Sequence, residues 1–216
     1  MDQTLFHLIN QQWTHPALDL FLAAISNVEI WKPLIVGLVL YALIFGGFKG
    51  RALLFCLALA LLLNSSLTSS LKKIVDRRRP KQVERVRMVE LTKARPEFLT
   101  LLKPVKIRYS DESDRNRSGP SFPSGHVTNN VTIAIVLTLF FRRWGWLYFA
   151  FVGAIAWSRV YLGAHWPSDV AATFFLATGT TLLLLALLET LYRWVVAKWA
   201  PQFFDRHPCL VGDPIS

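Results

Sequence analysis

A chain of 216 residues with 53% hydrophobic side chains and a positive mean hydropathy is too apolar for an ordinary soluble domain, and points to a membrane. Its formal charge of +10 invites nucleic acid as a partner. Yet between Lys72 and Arg117 fifteen Lys or Arg stand against seven Asp or Glu, wedged between apolar runs, and that placement favours anionic lipid headgroups over nucleic acid.

In chain order, Leu5, Phe6, Leu8, Ile9 and Trp13 alternate with Asn10, Gln11 and Gln12, and Pro16 interrupts any continuous span. Residues 1–27 therefore read as an amphipathic segment lying at the interface. With no Lys or Arg before Lys32, they lack the basic start of a signal peptide and are expected to be retained. Residues 30–48, 52–71, 126–141, 144–163 and 170–196 are predominantly apolar, and most approach the ~20 residues that a helix needs to cross a bilayer. The expected class is an all-α integral membrane protein with about five transmembrane helices, in one domain over 1–216. Residues 72–125 form a polar loop, of which 81–120 is the longest polar stretch. Loops beyond about 12–15 residues are usually functional or disordered, and this one reads as a lid, a headgroup-selecting wall, or in part disorder. Residues 198–216 form a polar tail. Cys56 lies inside an apolar run and Cys209 in the tail, a spacing that suggests neither a disulfide framework nor a zinc site.

Five spans put the termini on opposite sides. The segments 72–125 and 164–169 then share one face, and the connections at 49–51 and 142–143 share the other with the tail. The tight turns carrying Lys49/Arg51 and Arg142/Arg143 look cytoplasmic, whereas the basic loop lies opposite them. The loop's charge is discounted because several of its cations have a chemical use. The first 31 residues, free of Lys and Arg, then suit an external face.

Three clusters carry chemistry. Lys72 and Arg79 are seven apart, close to two helical turns, so both cations are expected along one face toward a dianion, with Pro80 stopping the helix. A basic cluster on anionic lipid is the alternative, and Lys73, Arg77 and Arg78 suit that role. Pro123-Ser124-Gly125-His126 opens an apolar helix. The backbone N–H groups of a helix start, the dipole and a glycine that permits close approach make an anion cradle, with Ser124 donating a hydroxyl and His126 at the rim as a proton donor. A simple helix cap explains the same residues. His165 and Asp169, four apart, share a face on a helical turn, or Pro167 places them at a helix start. The carboxylate can hold one imidazole nitrogen and leave the other free to attack phosphorus, and a purely structural hydrogen-bonded pair is the alternative. Arg159, near the end of an apolar run, is either functional or an interfacial arginine with its head in the headgroups.

The order K-x6-RP, PSGH, SR-x5-H-x3-D resembles the type 2 phosphatidic acid phosphatase superfamily, PAP2, which also contains vanadium haloperoxidases. The match covers Lys72, Arg79 and Pro80, Pro123 to His126, and Ser158, Arg159, His165 and Asp169, with helical organisation agreeing over about residues 30–190. The resemblance implies a PAP2-like helical bundle. In it Lys72, Arg79, Ser124, Gly125 and Arg159 bind the phosphoryl oxygens, His165 is the nucleophile that forms a phosphohistidine, Asp169 orients it, and His126 protonates the leaving group. It implies no metal and no other cofactor, a phosphorylated lipid as substrate and the bilayer as surroundings. The layout is similar to small bacterial undecaprenyl-diphosphate phosphatases of the inner membrane, with the site on the external face. Relatives acting on lipid A, phosphatidylglycerophosphate or phosphatidate, a lipid phosphotransferase, and a non-enzymatic membrane scaffold are the alternatives.

Overall fold

The computed structural model describes residues 1–117 and 119–212. Ser118 and residues 213–216, and with them part of the loop 72–125 and the end of the tail 198–216, lie outside the described residues.

Two short helices open the chain, α1 (Asp2–His7), continued by a π-helical turn at Leu8–Gln12, and α2 (Pro16–Ser26). Pro16 starts α2 at the position where a missing N–H costs nothing, and the His15 ring accepts from the Ala17 N–H. The long helices α3 (Val28–Phe45) and α4 (Gly47–Val75) follow. They are separated at Gly46-Gly47, where Gly47 has φ +57° and a Cβ on Gly46 would lie 2.3 Å from the Ala42 carbonyl oxygen. The turn expected at 49–51 therefore falls earlier, and Lys49 and Arg51 sit in the first turns of α4. Their charge marked the membrane edge, but the backbone breaks where only glycine fits.

After α4 the chain forms α5 (Pro80–Val83), strand β1 (Arg87–Leu91), a 3-10 turn at Glu97–Leu102, strand β2 (Val105–Tyr109) and α6 (Glu112–Arg117). The strands pair antiparallel, Arg87 opposite Tyr109 and Leu91 opposite Val105. This hairpin is a small two-stranded addition to the expected helical fold. Five-residue strands inside a charged loop are too short to leave a periodic signal. Arg108 fixes it, donating to Glu90 at 2.6 Å and to both carboxylate oxygens of Asp114 at 2.5 and 3.0 Å, which ties β2 to β1 and α6.

The remaining helices are α7 (Gly125–Phe140), α8 (Tyr148–Tyr161), α9 (Pro167–Trp199) and α10 (Pro201–Arg206). A helix thus stands at each of the five runs read as spans. By length and composition α3, α4 and α9 can cross a membrane, and α7 is a shorter apolar helix. α4, α7 and α9 enclose a core that includes Cys56, Val127, Val131, Ala134, Phe140, Ala177 and Leu185. Through it runs a polar ladder. The Asn64 amide donates to Thr132 and Thr181, each at 2.9 Å, its carbonyl oxygen accepts from Thr180 at 2.7 Å, and Thr68 meets Thr128 at 3.3 Å. Between apolar helices such contacts fix rotation and depth, since a slipped register strands them without water.

The N-terminal segment lays its apolar side on the protein. Phe6, Ile9, Leu22 and Ile25 pack with Val86, Ile155, Val160, Tyr161 and Trp166. A buried polar network anchors the same contact. Arg87 pairs with Asp19 at 2.7 Å, the Tyr161 hydroxyl donates to Asp19 at 2.6 Å, and the Asn10 amide donates to the carbonyls of Arg87 and Tyr161 at 2.9 and 2.7 Å. The base of the hairpin and the end of α8 are thereby held together where the clusters of the sequence converge.

Candidate active site

α4 ends at Val75, and Asp76 takes a left-handed conformation with φ +41°. Lys72 and Arg79 therefore do not share a helix face. Arg79 instead precedes α5, where its backbone N–H donates to Gln82 at 2.7 Å and its guanidinium donates to the carbonyls of Gly119 at 2.8 Å and Ala164 at 3.4 Å. The reversal at Asp76 still leaves Lys72, Arg79 and Arg159 close enough to repel one another.

Ser124 is the N-cap of α7, with Pro123 just outside the helix and Gly125 its first residue. The backbone N–H of Ser124 donates to Thr173 at 3.0 Å. Its hydroxyl oxygen is buried and has no hydrogen-bond partner among the described residues. A Cβ added to Gly125 would meet nothing within 4 Å. Open space therefore borders the helix start, whose first N–H groups have no intrahelical acceptor. The Nε2 of His126, in the first turn, lies 3.2 Å from the Ser26 carbonyl, which accepts its proton.

His165 lies in the turn between α8 and α9 and is 2% exposed. The Arg159 carbonyl accepts from the N–H groups of Ala164 and His165 at 3.0 and 3.1 Å, so the arginine's own backbone shapes the turn. Gly163 makes it possible: its φ is +69°, and a Cβ there would lie 2.2 Å from Val86 Cγ1. Pro167 starts α9, so the His165–Asp169 pair sits at a helix start. Asp169 is fully buried, and Oδ2 accepts from the Trp166 N–H at 3.0 Å and from the Ser121 hydroxyl. His165 Nδ1 is 4.0 Å from that oxygen, too far for a hydrogen bond, and is buried without a hydrogen-bond partner among the described residues, as is Arg159 Nε. The expected direct hold of carboxylate on imidazole is thus replaced by an ion-pair distance, because Asp169 is committed elsewhere.

Its principal partner is Arg77, which sequence reasoning assigned to the lipid-facing cluster. The Arg77 guanidinium donates to Asp169 Oδ1 at 2.5 Å, to Ser168 Oγ at 2.8 Å and to Asp2 Oδ2 at 2.7 Å. Asp2 also accepts from the Ser168 N–H and hydroxyl at 2.9 and 2.5 Å. The Ser121 N–H donates to the Arg77 carbonyl at 2.6 Å, and Trp166 Nε1 donates to the Arg78 carbonyl at 2.9 Å. Arg77, Ser121, Ser168 and Asp2 therefore set the position of the carboxylate next to His165. The sequence offers only a faint sign of this, an arginine two residues before Arg79 and a serine opening SFPSGH.

Burial first, and then the charges of Arg159, Arg79 and Lys72, hold the His165 imidazole well below its ordinary 6.5. At neutral pH the ring is uncharged and keeps a lone pair. The folded state binds fewer protons here than the unfolded state, so the stability contributed by the neutral ring is complete above about pH 6.5 and declines as pH falls below it. The expected result is a thermal midpoint in detergent that drops from pH 7 to pH 5, with a smaller drop in His165→Asn. An equal slope in both proteins rules the effect out.

The model of the PAP2 superfamily matches residues 51–193. The lipid A 4'-phosphatase of Bacteroides thetaiotaomicron is 29% identical over 164 residues, 73% of this chain and 64% of that protein. The undecaprenyl-diphosphatase of Sulfolobus acidocaldarius is 36% identical over 72 residues, 32% of this chain and 34% of that protein. The chain thus spans about a third of one relative and just under two thirds of the other. The crystal structure of Aquifex aeolicus LpxE superposes with a TM-score of 0.60 at 25% identity, covering 86% of this chain and 94% of that one. With the family model matching well over half its length, and the helical bundle around it, the chain belongs to the PAP2 superfamily.

Proposed function

We propose that this protein is a metal-independent membrane lipid phosphatase acting through a phosphohistidine at His165. The observation that carries the reading is the buried His165, whose Nδ1 lies 4.0 Å from Asp169 and whose ring feels the charges of Arg159, Arg79 and Lys72 beside Ser121, in the segment that leads into α7. Lys72, Arg79, Arg159, the Ser124 hydroxyl and the N–H groups at Gly125 bind the phosphoryl oxygens and offset the charge that develops in transfer. His165 attacks phosphorus. The bond to the leaving oxygen breaks, and His126 gives that oxygen a proton. Asp169, held by Arg77, stabilises the imidazolium that forms. Water, deprotonated by His126, then cleaves the phosphorus–nitrogen bond, releasing phosphate and restoring His165.

Undecaprenyl diphosphate, cleaved to undecaprenyl phosphate, is the leading substrate, supported by the relative named for that activity. Lipid A is the second reading, favoured by the longer alignment with a lipid A 4'-phosphatase. The helices at the five apolar runs, α3, α4, α7, α8 and α9, are taken to lie in the bacterial inner membrane, with the site on the external face. The absence of Lys and Arg from the first 31 residues supports that orientation.

Phosphate release by the purified protein from undecaprenyl diphosphate, lipid A, phosphatidylglycerophosphate and phosphatidate tests the reading. One of these lipids should yield free phosphate at a rate that EDTA leaves unchanged, since the donors are cations and N–H groups. Loss of turnover with EDTA, restored by a divalent cation, contradicts the metal-free chemistry. Phosphate recovered on a lipid acceptor makes the protein a transferase, and no release from any lipid leaves a scaffold.

A further inference from the structure

The hairpin β1–β2 plays no part in the chemistry above, and its tip is built inside out for a loop in water. The Thr100 hydroxyl is buried, accepting from the Ala94 N–H at 3.1 Å, and the exposed Thr92 hydroxyl is taken up by the Pro104 carbonyl at 2.8 Å, so these hydroxyls are spent on the tip's own backbone. The large apolar side chains face outward, with Leu102 80% and Phe98 55% exposed and Ile107 and Tyr109 behind them. Lys93, Arg95, Lys103 and Lys106 are exposed around them, and Glu97 is the one acidic residue in 92–106. The 3-10 turn carrying Phe98 and Leu102 packs on α3, an apolar helix whose own side chains are mostly exposed. Exposed apolar residues ringed by cations, beside a helix fit to cross the membrane, match the boundary between acyl chains and anionic headgroups in both polarity and charge.

We propose that the hairpin tip is a lipid-docking surface. Phe98 and Leu102 enter the leaflet on the catalytic side, and Lys93, Arg95, Lys103 and Lys106 engage the phosphates of anionic lipids around them. The base of the hairpin is continuous with the site, because Val86 packs against Gly163, two residues before His165, and Arg87 is fixed to Asp19. A docked tip therefore sets the depth at which the site meets the membrane surface and gathers anionic lipid beside it. The inference rests on the membrane reading and is independent of the reaction or the lipid hydrolysed.

The test places an environment-sensitive nitrobenzoxadiazole label at Leu102→Cys, and for comparison at Glu112→Cys on α6, in full-length protein with Cys56 and Cys209 replaced. Both are reconstituted in vesicles of phosphatidylglycerol and phosphatidylethanolamine. The label at position 102 should emit as in an apolar medium and be quenched by lipids with a doxyl group near the headgroup, while that at 112 is quenched by aqueous iodide. Equal iodide quenching at both positions overturns the proposal, as do disulfide-linked pairs formed through Cys at position 102, which mark a contact between copies. In the wild-type background, Phe98→Asp with Leu102→Asp should raise KM for a long-chain lipid phosphate in vesicles about tenfold and leave kcat for a short-chain soluble phosphate ester unchanged. An unchanged KM, or an equal loss on both substrates, contradicts it. The labelling result stands even if no lipid is hydrolysed, so failure of the docking and failure of the chemistry are separable.

Discussion

Replacing His165 with alanine is expected to lower phosphate release by at least about three orders of magnitude while inorganic phosphate still binds. The two halves of that expectation come from different parts of the site. In the proposed reaction the nucleophile is a single ring, whereas the anion is to be gripped by Lys72 from α4, Arg79 from the loop, Arg159 from α8 and the start of α7. Deleting the ring leaves these in place, and the backbone bonds from Ala164 and His165 to Arg159 do not involve the side chain. Calorimetry with phosphate separates the outcomes. Binding kept and turnover lost places His165 in the covalent step. Both lost means that the turn has collapsed, and near-normal turnover means that another group attacks phosphorus.

The second large effect is expected at Arg77, which touches neither His165 nor the proposed phosphate position. Arg77→Ala leaves the fully buried Asp169 with Ser121 and Trp166 but without its cation. Removing one partner of a buried ion pair costs about 3 kcal/mol or more. The outer side of Arg77 is partly exposed, which favours the lower end of that range. The freed carboxylate is 4.0 Å from His165 Nδ1 and can shift toward it, raising the imidazole pKa and displacing the ring. Activity should fall about a hundredfold, as an ångström-scale misplacement does. The acid limb of kcat/KM should move to higher pH, a change that loss of fold alone does not produce. Arg77→Lys keeps the charge but cannot bridge Asp169, Ser168 and Asp2 with a planar fork, so stability should recover more than activity. An unchanged pH profile and kcat in Arg77→Ala remove the residue from the account.

The contrast between His165 and Arg77 shows what a single sequence makes legible. PSGH and SR-x5-H-x3-D are local. A helix start with a glycine and a histidine before a helix cap constrain the backbone within a few residues, so their placement is readable from spacing. The apolar runs are readable for the same reason, since each needs about twenty residues of one character. Arg77 is not readable in this way, because its meaning depends on Asp169 and Asp2, which are distant in sequence and meet it only in the folded bundle. Lys72 and Arg79 were expected on one helix face, and the left-handed Asp76 breaks that face while the tertiary fold restores their proximity. The N-terminal segment reads as amphipathic, yet only the fold shows that Phe6 packs on Trp166, with ring centroids 5.2 Å apart, next to His165. The hairpin is the largest omission, and its register rests on Arg108 meeting Glu90 and Asp114 rather than on any period in the chain.

The central claim is that phosphorus becomes bonded to His165 during turnover, and trapping that bond tests it most directly. Purified protein mixed with a phosphorus-32 lipid phosphate and quenched in alkali within one turnover should carry an acid-labile, alkali-stable label on the peptide containing His165. The label should be absent from His165→Ala and discharged by water in the unquenched wild type. Turnover without a covalent label, or a label on a peptide lacking His165, contradicts the account.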